Sequence, residues 1–353
     1  MVDMKIERRL ELIKRNVEEL ITEREMEGLL KSKVRPHGYW GFECSGPVHL
    51  GTGLVVGMKI KDLLDAGFDF TVFLADWHSW INNKFEGDME RIRLAGEYFK
   101  EVFFALGIRG PGLRFVWSSE IVDKASYWEK VIKIAKKVSL NRLLRTLPIM
   151  GRKETSRIEE AAWLVYPLMQ AADIFDLQVD VACAGVDQRK VHVMAREVAR
   201  HLGFEKPILL HTPLLPSLAA PVPRGLDEKI DTKMSKSKRG GAILVHDSPE
   251  EIKRKVFKGY CPPKSVDDNP FFYLLRYVIF QYFPGLKVER ERKYGGDVYY
   301  ATYGELERDY LKGSLHPADL KNAIALKLSE ILEPVRKHFE GRAELIELIM
   351  SED

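Results

Sequence analysis

Two stretches of this chain carry side chains suited to handling phosphate. In "GFECSGPVHLGTGL", residues 41–54, an apolar run bearing Glu43 enters a Gly-rich turn where His49 precedes Gly51, Thr52 and Gly53. A helix N-terminus offers unpaired N–H groups to an anion, and glycine lets a nucleotide approach the backbone. A histidine there donates to phosphate without adding a permanent charge. The competing reading is an ordinary strand-to-helix turn. In "DTKMSKSKRGG", residues 231–241, Lys233, Met234, Ser235, Lys236 and Ser237 follow one another in a segment with neither helical nor strand period. Lysine is a point-charge phosphate binder and serine hydroxyls donate to phosphate oxygens, so this composition predicts a movable clamp for polyphosphate. A solvated surface loop is the competing reading of any such charge run.

A third group has the spacing of a small-molecule pocket. Tyr166, Gln170 and Asp173 stand four and three residues apart in "YPLMQAAD", which places them on one helical face. Tyr39 lies on the first strongly apolar strand, "YWGFECSG". Buried polar groups aimed at a ligand hydroxyl discriminate against an analogue lacking it, because they would be left unpaired. Taken singly, each of these residues also fits a core position or a helix-packing seam. Asp76 and His78 in "ADWHSW" follow another strand and are expected to reach the same crevice.

These residues need a scaffold, and the text around them supplies one. Apolar runs alternate with helical patterns: "YWGFECSG", "DFTVFLADW", "LRFVWSS", "VDVACAG" and "PILLHTPLL" are separated by segments such as "DMERIRLAGEYFKEVFFALG" and "QRKVHVMAREVARHLG". That alternation predicts an α/β fold, a parallel sheet covered on both faces with ligands beyond its strand ends. Helical stretches between about 120 and 160 interrupt it and read as an insertion. After the basic loop, "SPEEIKRKVFKGY", "NPFFYLLRYVIFQYF" and "HPADLKNAIALKLSEILEPVRKHF" are helical by period, with Ser248 and Asn269 as N-caps. The expected organisation is a catalytic domain over 1–230, the basic loop and linker over 231–247, and a mostly α-helical domain over 248–353. The first twenty residues read as an amphipathic charged helix.

The 353 residues carry a net charge of +3, which tolerates a nucleic-acid partner without requiring one. Three scattered cysteines form no CxxC pair, so they read as reduced thiols, and neither they nor the histidines have zinc-ligand spacing. No structural metal is expected. No apolar run approaches the roughly 18 residues a membrane span needs, so a cytoplasmic protein is expected.

The string Lys233 to Ser237 is expected by chance in roughly one chain of this length in 10⁴. Together with the turn from Cys44 to Thr52, it resembles the KMSKS and HIGH signatures of class I aminoacyl-tRNA synthetases. The segments "GFECSGPVHLGTG", "FLADWHSWIN", "YPLMQAADIF", "GVDQRK", "YCPPK" and "LHPADLKNA" resemble the archaeal and eukaryotic tyrosyl-tRNA synthetases, from about residue 35 to about 340. The resemblance implies a Rossmann-type catalytic domain and a helical anticodon-binding domain. It implies activation of L-tyrosine with ATP and Mg²⁺, transfer to tRNA(Tyr), and a homodimer formed through the inserted helices. For the residues, it implies that Tyr39 and Asp173 bind the phenol hydroxyl, with Tyr166, Gln170 and Gln188 around the amino group. Glu43, His49, Gly51, Lys233, Met234, Ser235, Lys236 and Ser237 fall at the ATP, with Lys233 and Lys236 on the leaving pyrophosphate. Thr52 replaces the second histidine of HIGH. Arg189 is implied at the tRNA acceptor end, and His316 and Asp319 at the anticodon guanine, while Val278 stands where relatives carry a stacking aromatic. The rival readings are a tryptophan–tRNA ligase of the same architecture and a catalytically silent tRNA-binding relative.

Overall fold

The computed structural model describes residues 5–151, 157–235 and 241–350. Its central sheet has six strands: β1 (Glu19–Ile21), β2 (His37–Phe42), β3 (Asp69–Leu74), β4 (Leu113–Trp117), β5 (Val181–Gly185) and β6 (Ile208–Thr212). Their order is β1-β6-β5-β2-β3-β4, parallel throughout except for β1, which runs antiparallel to β6. From β2 the chain winds outward through β3 and β4. It then returns to the other side of β2 and winds out through β5 and β6. The reversal leaves a crevice beyond the carboxyl ends of β2 and β5, where ligands bind in open α/β sheets.

Period-2 alternation divides the strand side chains between two cores. Tyr39, Phe73, Ala182 and Leu209 face one side, packed with the helices Ala125–Ala135 and Ala162–Asp176. Trp40, Val72, Cys183 and Leu210 face the other. That second core continues into the helices beyond residue 248, taking in Ile252, Phe271, Leu320 and Val335. The expected caps are present: the Ser248 hydroxyl accepts from the Glu251 N–H at 3.1 Å, and the Asn269 side chain accepts from the Phe271 N–H at 3.1 Å.

Two elements differ from the sequence-based expectation. The amino-terminal helix spans only Ile6–Lys14, because Asn16 takes a left-handed backbone (φ 54°) and the chain turns into edge strand β1. The carboxy-terminal region also contains a small antiparallel pair, Leu286–Val288 with Val298–Tyr300.

The basic segment is tied down at both ends. The Met234 N–H donates to the Leu215 carbonyl at 2.7 Å, and the Leu218 N–H donates to the Gly241 carbonyl at 2.9 Å. Beyond it, residues 243–245 form a short antiparallel ribbon with the His49 turn: Leu50 N–H donates to Ile243 O and Val245 N–H to Val48 O, both at 3.0 Å. Gly53 permits this approach, since a Cβ there would lie 2.5 Å from Val245 Cγ1.

Candidate active site

A cleft of about 590 Å³ opens at the β2/β5 reversal, a size typical of ligand pockets. Its walls bring together Tyr39, Glu43, His49, Gly51, Thr52, Tyr166, Gln170, Asp173, Gln188, Lys233, Met234 and Ser235. Lys236 and Ser237 lie outside the described residues. Separate stretches of strand, helix and loop thus converge on one cleft.

The innermost part of the cleft is polar and buried. Tyr39 and Asp173 are each 1% exposed, on β2 and on the helix Ala162–Asp176. Gly41 makes room for Tyr39, because a Cβ at 41 would lie 2.9 Å from the phenol oxygen. Tyr127, on the helix Ala125–Ala135, donates its hydroxyl to Asp173 Oδ1 at 2.7 Å. Burial pushes the Asp173 carboxyl well above the ordinary carboxylate range, with the Tyr127 hydrogen bond pulling the other way. His78 Nε2 stands 3.3 Å from Asp173 Oδ2 without hydrogen-bond alignment. Burial depresses the His78 pKa to about 4, so the ring is neutral at physiological pH and the contact is not an ion pair.

Higher in the cleft, Tyr166 donates to Glu43 Oε1 at 2.8 Å, and Asn82 Nδ2 donates to the same oxygen at 2.7 Å. Lys84 Nζ lies 3.4 Å from the other oxygen, so Glu43 sits in a cluster of donors. Gln170 donates to Gln188 Oε1 at 3.2 Å, leaving its own buried Oε1 without a partner among the described residues. An unsatisfied buried acceptor in a ligand cleft is placed to receive a donor from the ligand.

At the mouth, His49 Nδ1 accepts the Gly51 N–H at 3.1 Å, which puts the neutral ring's proton on Nε2. Gly51 is required there, since a Cβ would come within 2.9 Å of the imidazole. Thr52 follows in a π-helical turn, Gly51–Val56, that leads into the helix Gly57–Asp65. Opposite, Lys233 Nζ lies 2.5 Å from Asp187 Oδ2. Burial pushes the Asp187 carboxyl up, but Lys233 and the Gln188 amide more than offset this and hold it below its usual range.

Several expected residues stand elsewhere. Asp76 does not line the cleft: its Oδ1 accepts from the Trp77 and Ser119 N–H groups and the Ser118 hydroxyl, tying the end of β3 to that of β4. Arg189 sits just outside, paired through Nε with both oxygens of Glu19 at 2.9 Å. His316 is exposed and caps the helix Pro317–His338, its Nδ1 accepting from the Ala318 N–H at 3.1 Å, and Asp319 follows in the first turn. Val278 is fully buried. Sequence reasoning missed Tyr127, which stands in no motif, and Asn82, which closes the segment "FLADWHSWIN" but was given no role. His78, expected at the crevice, does line it.

A cleft lined by a buried tyrosine and a buried carboxyl, and also by a histidine and a lysine, suits activation of a small substrate by a nucleotide. The profile of the family described as tRNA synthetases class I (W and Y) matches residues 31–333, and the chain belongs to that family of aminoacyl-tRNA synthetases. Within the family its similarity is to tyrosine–tRNA ligases. The ligase of Saccharolobus solfataricus is 44% identical over 353 residues, covering 98% of this chain and 96% of its own length. That of Aeropyrum pernix is 46% identical over 344 residues, covering 95% and 94%. The structure of tyrosyl-tRNA synthetase from Pyrococcus horikoshii complexed with L-tyrosine superposes with a TM-score of 0.92 at 42% identity, covering 99% of this chain and 100% of that one. A tryptophanyl-tRNA synthetase from Aeropyrum pernix shares the fold at a TM-score of 0.67 and 18% identity.

Proposed function

We infer that this chain is a tyrosine–tRNA ligase whose residues act by positioning and charge stabilisation rather than as nucleophiles. The carboxylate of tyrosine attacks the α-phosphorus of ATP, forming tyrosyl-adenylate and releasing pyrophosphate. A ribose hydroxyl of the terminal adenosine of tRNA(Tyr) then attacks the tyrosyl carbonyl, and AMP leaves. One observation carries the choice of amino acid: Tyr39 and Asp173, both buried and close enough to interact electrostatically, line the same cleft as His49 and Lys233.

In this reading the phenol hydroxyl of the substrate reaches Tyr39 and Asp173, and its ammonium donates to Gln170 Oε1, with Gln188 and Tyr166 beside it. Glu43 sits between the two substrates. His49 donates from Nε2 to the phosphates of the Mg²⁺-bound ATP, Gly51 lets the adenine approach, and Thr52 offers a hydroxyl. Lys233 exchanges Asp187 for the leaving pyrophosphate, joined by Ser235, Lys236 and Ser237, with Met234 anchoring the segment in the core. Buried donors and acceptors cost most when left unpaired, which favours tyrosine over phenylalanine. Arg189 is assigned to the tRNA acceptor end, and Asp319 and the outer face of His316 to the anticodon, with a domain boundary near residue 248. Exposed Ile132 and Leu140 on the inserted helices support a homodimer through that segment. The protein would act in the cytoplasm, where its partners are.

Amino-acid-dependent exchange of pyrophosphate into ATP tests the reading. Exchange should require tyrosine. Exchange with tryptophan alone, or with no amino acid, would sink it.

A further inference from the structure

The His49 turn and the base of the basic segment meet at one buried hydroxyl that no part of the catalytic reading uses. Tyr98, fully buried on the helix Met89–Ala105, accepts a hydrogen bond from the Val48 N–H at 3.3 Å. The same oxygen lies 3.1 Å from Nδ1 of His246, the residue after the ribbon 243–245 that pairs with the turn. A phenol has one proton to give. The oxygen accepts from Val48 and pairs with His246 Nδ1 at the same time, so one phenol joins the two segments whichever ring tautomer is present. His246 Nε2 is buried with no partner among the described residues, which leaves Tyr98 as the ring's hydrogen-bond anchor.

We propose that Tyr98 and His246 form a clasp that fixes the spacing between His49 and the stem of the lysine segment, making Tyr98 a positioning residue for the adenylate-forming step. The phenol holds the backbone immediately before His49 and the side chain immediately after the ribbon. Loss of its hydroxyl leaves the buried Val48 N–H and the part-buried His246 Nδ1 without this partner and lets these segments separate, while nothing changes at Tyr39 or Asp173. Because reacting groups must be held within fractions of an ångström, a small separation lowers the rate more than it weakens substrate binding. Tyr98 also receives the end of the helical region: Phe339 packs on it with ring centroids 5.5 Å apart. One turn further along, Glu101 accepts from His338 at 2.5 Å and from Arg342 at 2.9 Å.

The inference rests on the tyrosine-activation reading, and pyrophosphate exchange by the full chain tests both. Tyr98→Phe should lower kcat about tenfold, with KM for tyrosine held within about twofold. His246→Ala should match it, the double variant should be no slower than either single one, and His246→Asn, which keeps an acceptor, should recover part of the rate. An unchanged kcat in Tyr98→Phe, a KM for tyrosine that rises as kcat falls, or additive losses in the double variant would overturn the clasp. If Tyr98→Phe does not fold, the contrast between His246→Ala and His246→Asn decides, and equal rates in those two reject it. Absence of tyrosine-dependent exchange in the unaltered chain overturns the function itself and the clasp with it.

Discussion

Replacing Tyr127 by Phe isolates the partner that orients Asp173. The hydroxyl donates to Asp173 Oδ1 at 2.7 Å, and both residues are buried, so water does not replace the lost donor. The ring itself packs edge-on against Trp128, a contact that phenylalanine preserves. The second acceptor near the hydroxyl, the Met169 carbonyl at 3.3 Å, belongs to a helix that satisfies it internally. The substitution therefore subtracts one short hydrogen bond to a buried carboxyl, worth about 2 kcal/mol, or about 30-fold in an equilibrium constant. The carboxyl loses its fixed orientation and its pKa rises further, since the Tyr127 contact is what draws it down. The loss should fall on the complex with tyrosine: KM for tyrosine rises about 30-fold, the preference over phenylalanine narrows, and KM for ATP stays within about twofold. Pyrophosphate exchange measured against each substrate, beside thermal unfolding of the free protein, reads all three. An equal rise in both KM values, or an unchanged tyrosine KM, would refute the assignment of Asp173 to the cleft floor.

Two further outcomes are expected. Lys233→Ala should lower kcat for exchange by about 10²-fold, the usual scale for removing one donor to developing charge, while leaving tyrosine binding without ATP unchanged by calorimetry; a matching loss of tyrosine affinity would place Lys233 in the wrong half-site. Lys59 is fully buried, donating to the Leu12 and Ile13 carbonyls at 3.0 Å, and burial, partly opposed by Asp62, pushes its pKa from 10.5 down to about 8. The folded chain gives up this proton near pH 8 and the unfolded chain near 10.5, so between these values the unfolded state holds more protons and Lys59 makes stability rise with pH. Denaturant unfolding from pH 8 to 10 should show that slope in the parent and a flatter one in Lys59→Met; identical slopes would mean that Lys59 titrates normally.

The five parallel strands were legible because each is an apolar run bounded by helical patterns. β1 was not: Glu19-Leu20-Ile21 has no strand period of its own, and only pairing with Leu209–His211 makes it a strand. The small antiparallel pair was hidden because residues 289–297 separate its two short strands, too long a gap for a tight-turn signal. In the cleft, the spacing of Tyr166, Gln170 and Asp173 placed them on one helical face, and all three line it. Tyr127 was invisible because its meaning lies in a contact with Asp173, 46 positions along the chain. Asp76 was misplaced for the converse reason: a carboxylate at a strand end can turn toward the crevice or back onto neighbouring N–H groups, and sequence does not say which.

Tyr39 and Trp40 are consecutive on β2 yet belong to opposite cores. A slip of one residue in the pairing of β2 would exchange every side chain between the two faces. The indole would then fill the substrate cavity, and the phenol would be stranded in a hydrocarbon layer. If Tyr39 recognises the substrate as proposed, folding fidelity and choice of amino acid depend on one set of backbone hydrogen bonds. A chain that misassembled this strand would be unable to admit tyrosine, so the error would yield an idle protein rather than a mischarging one.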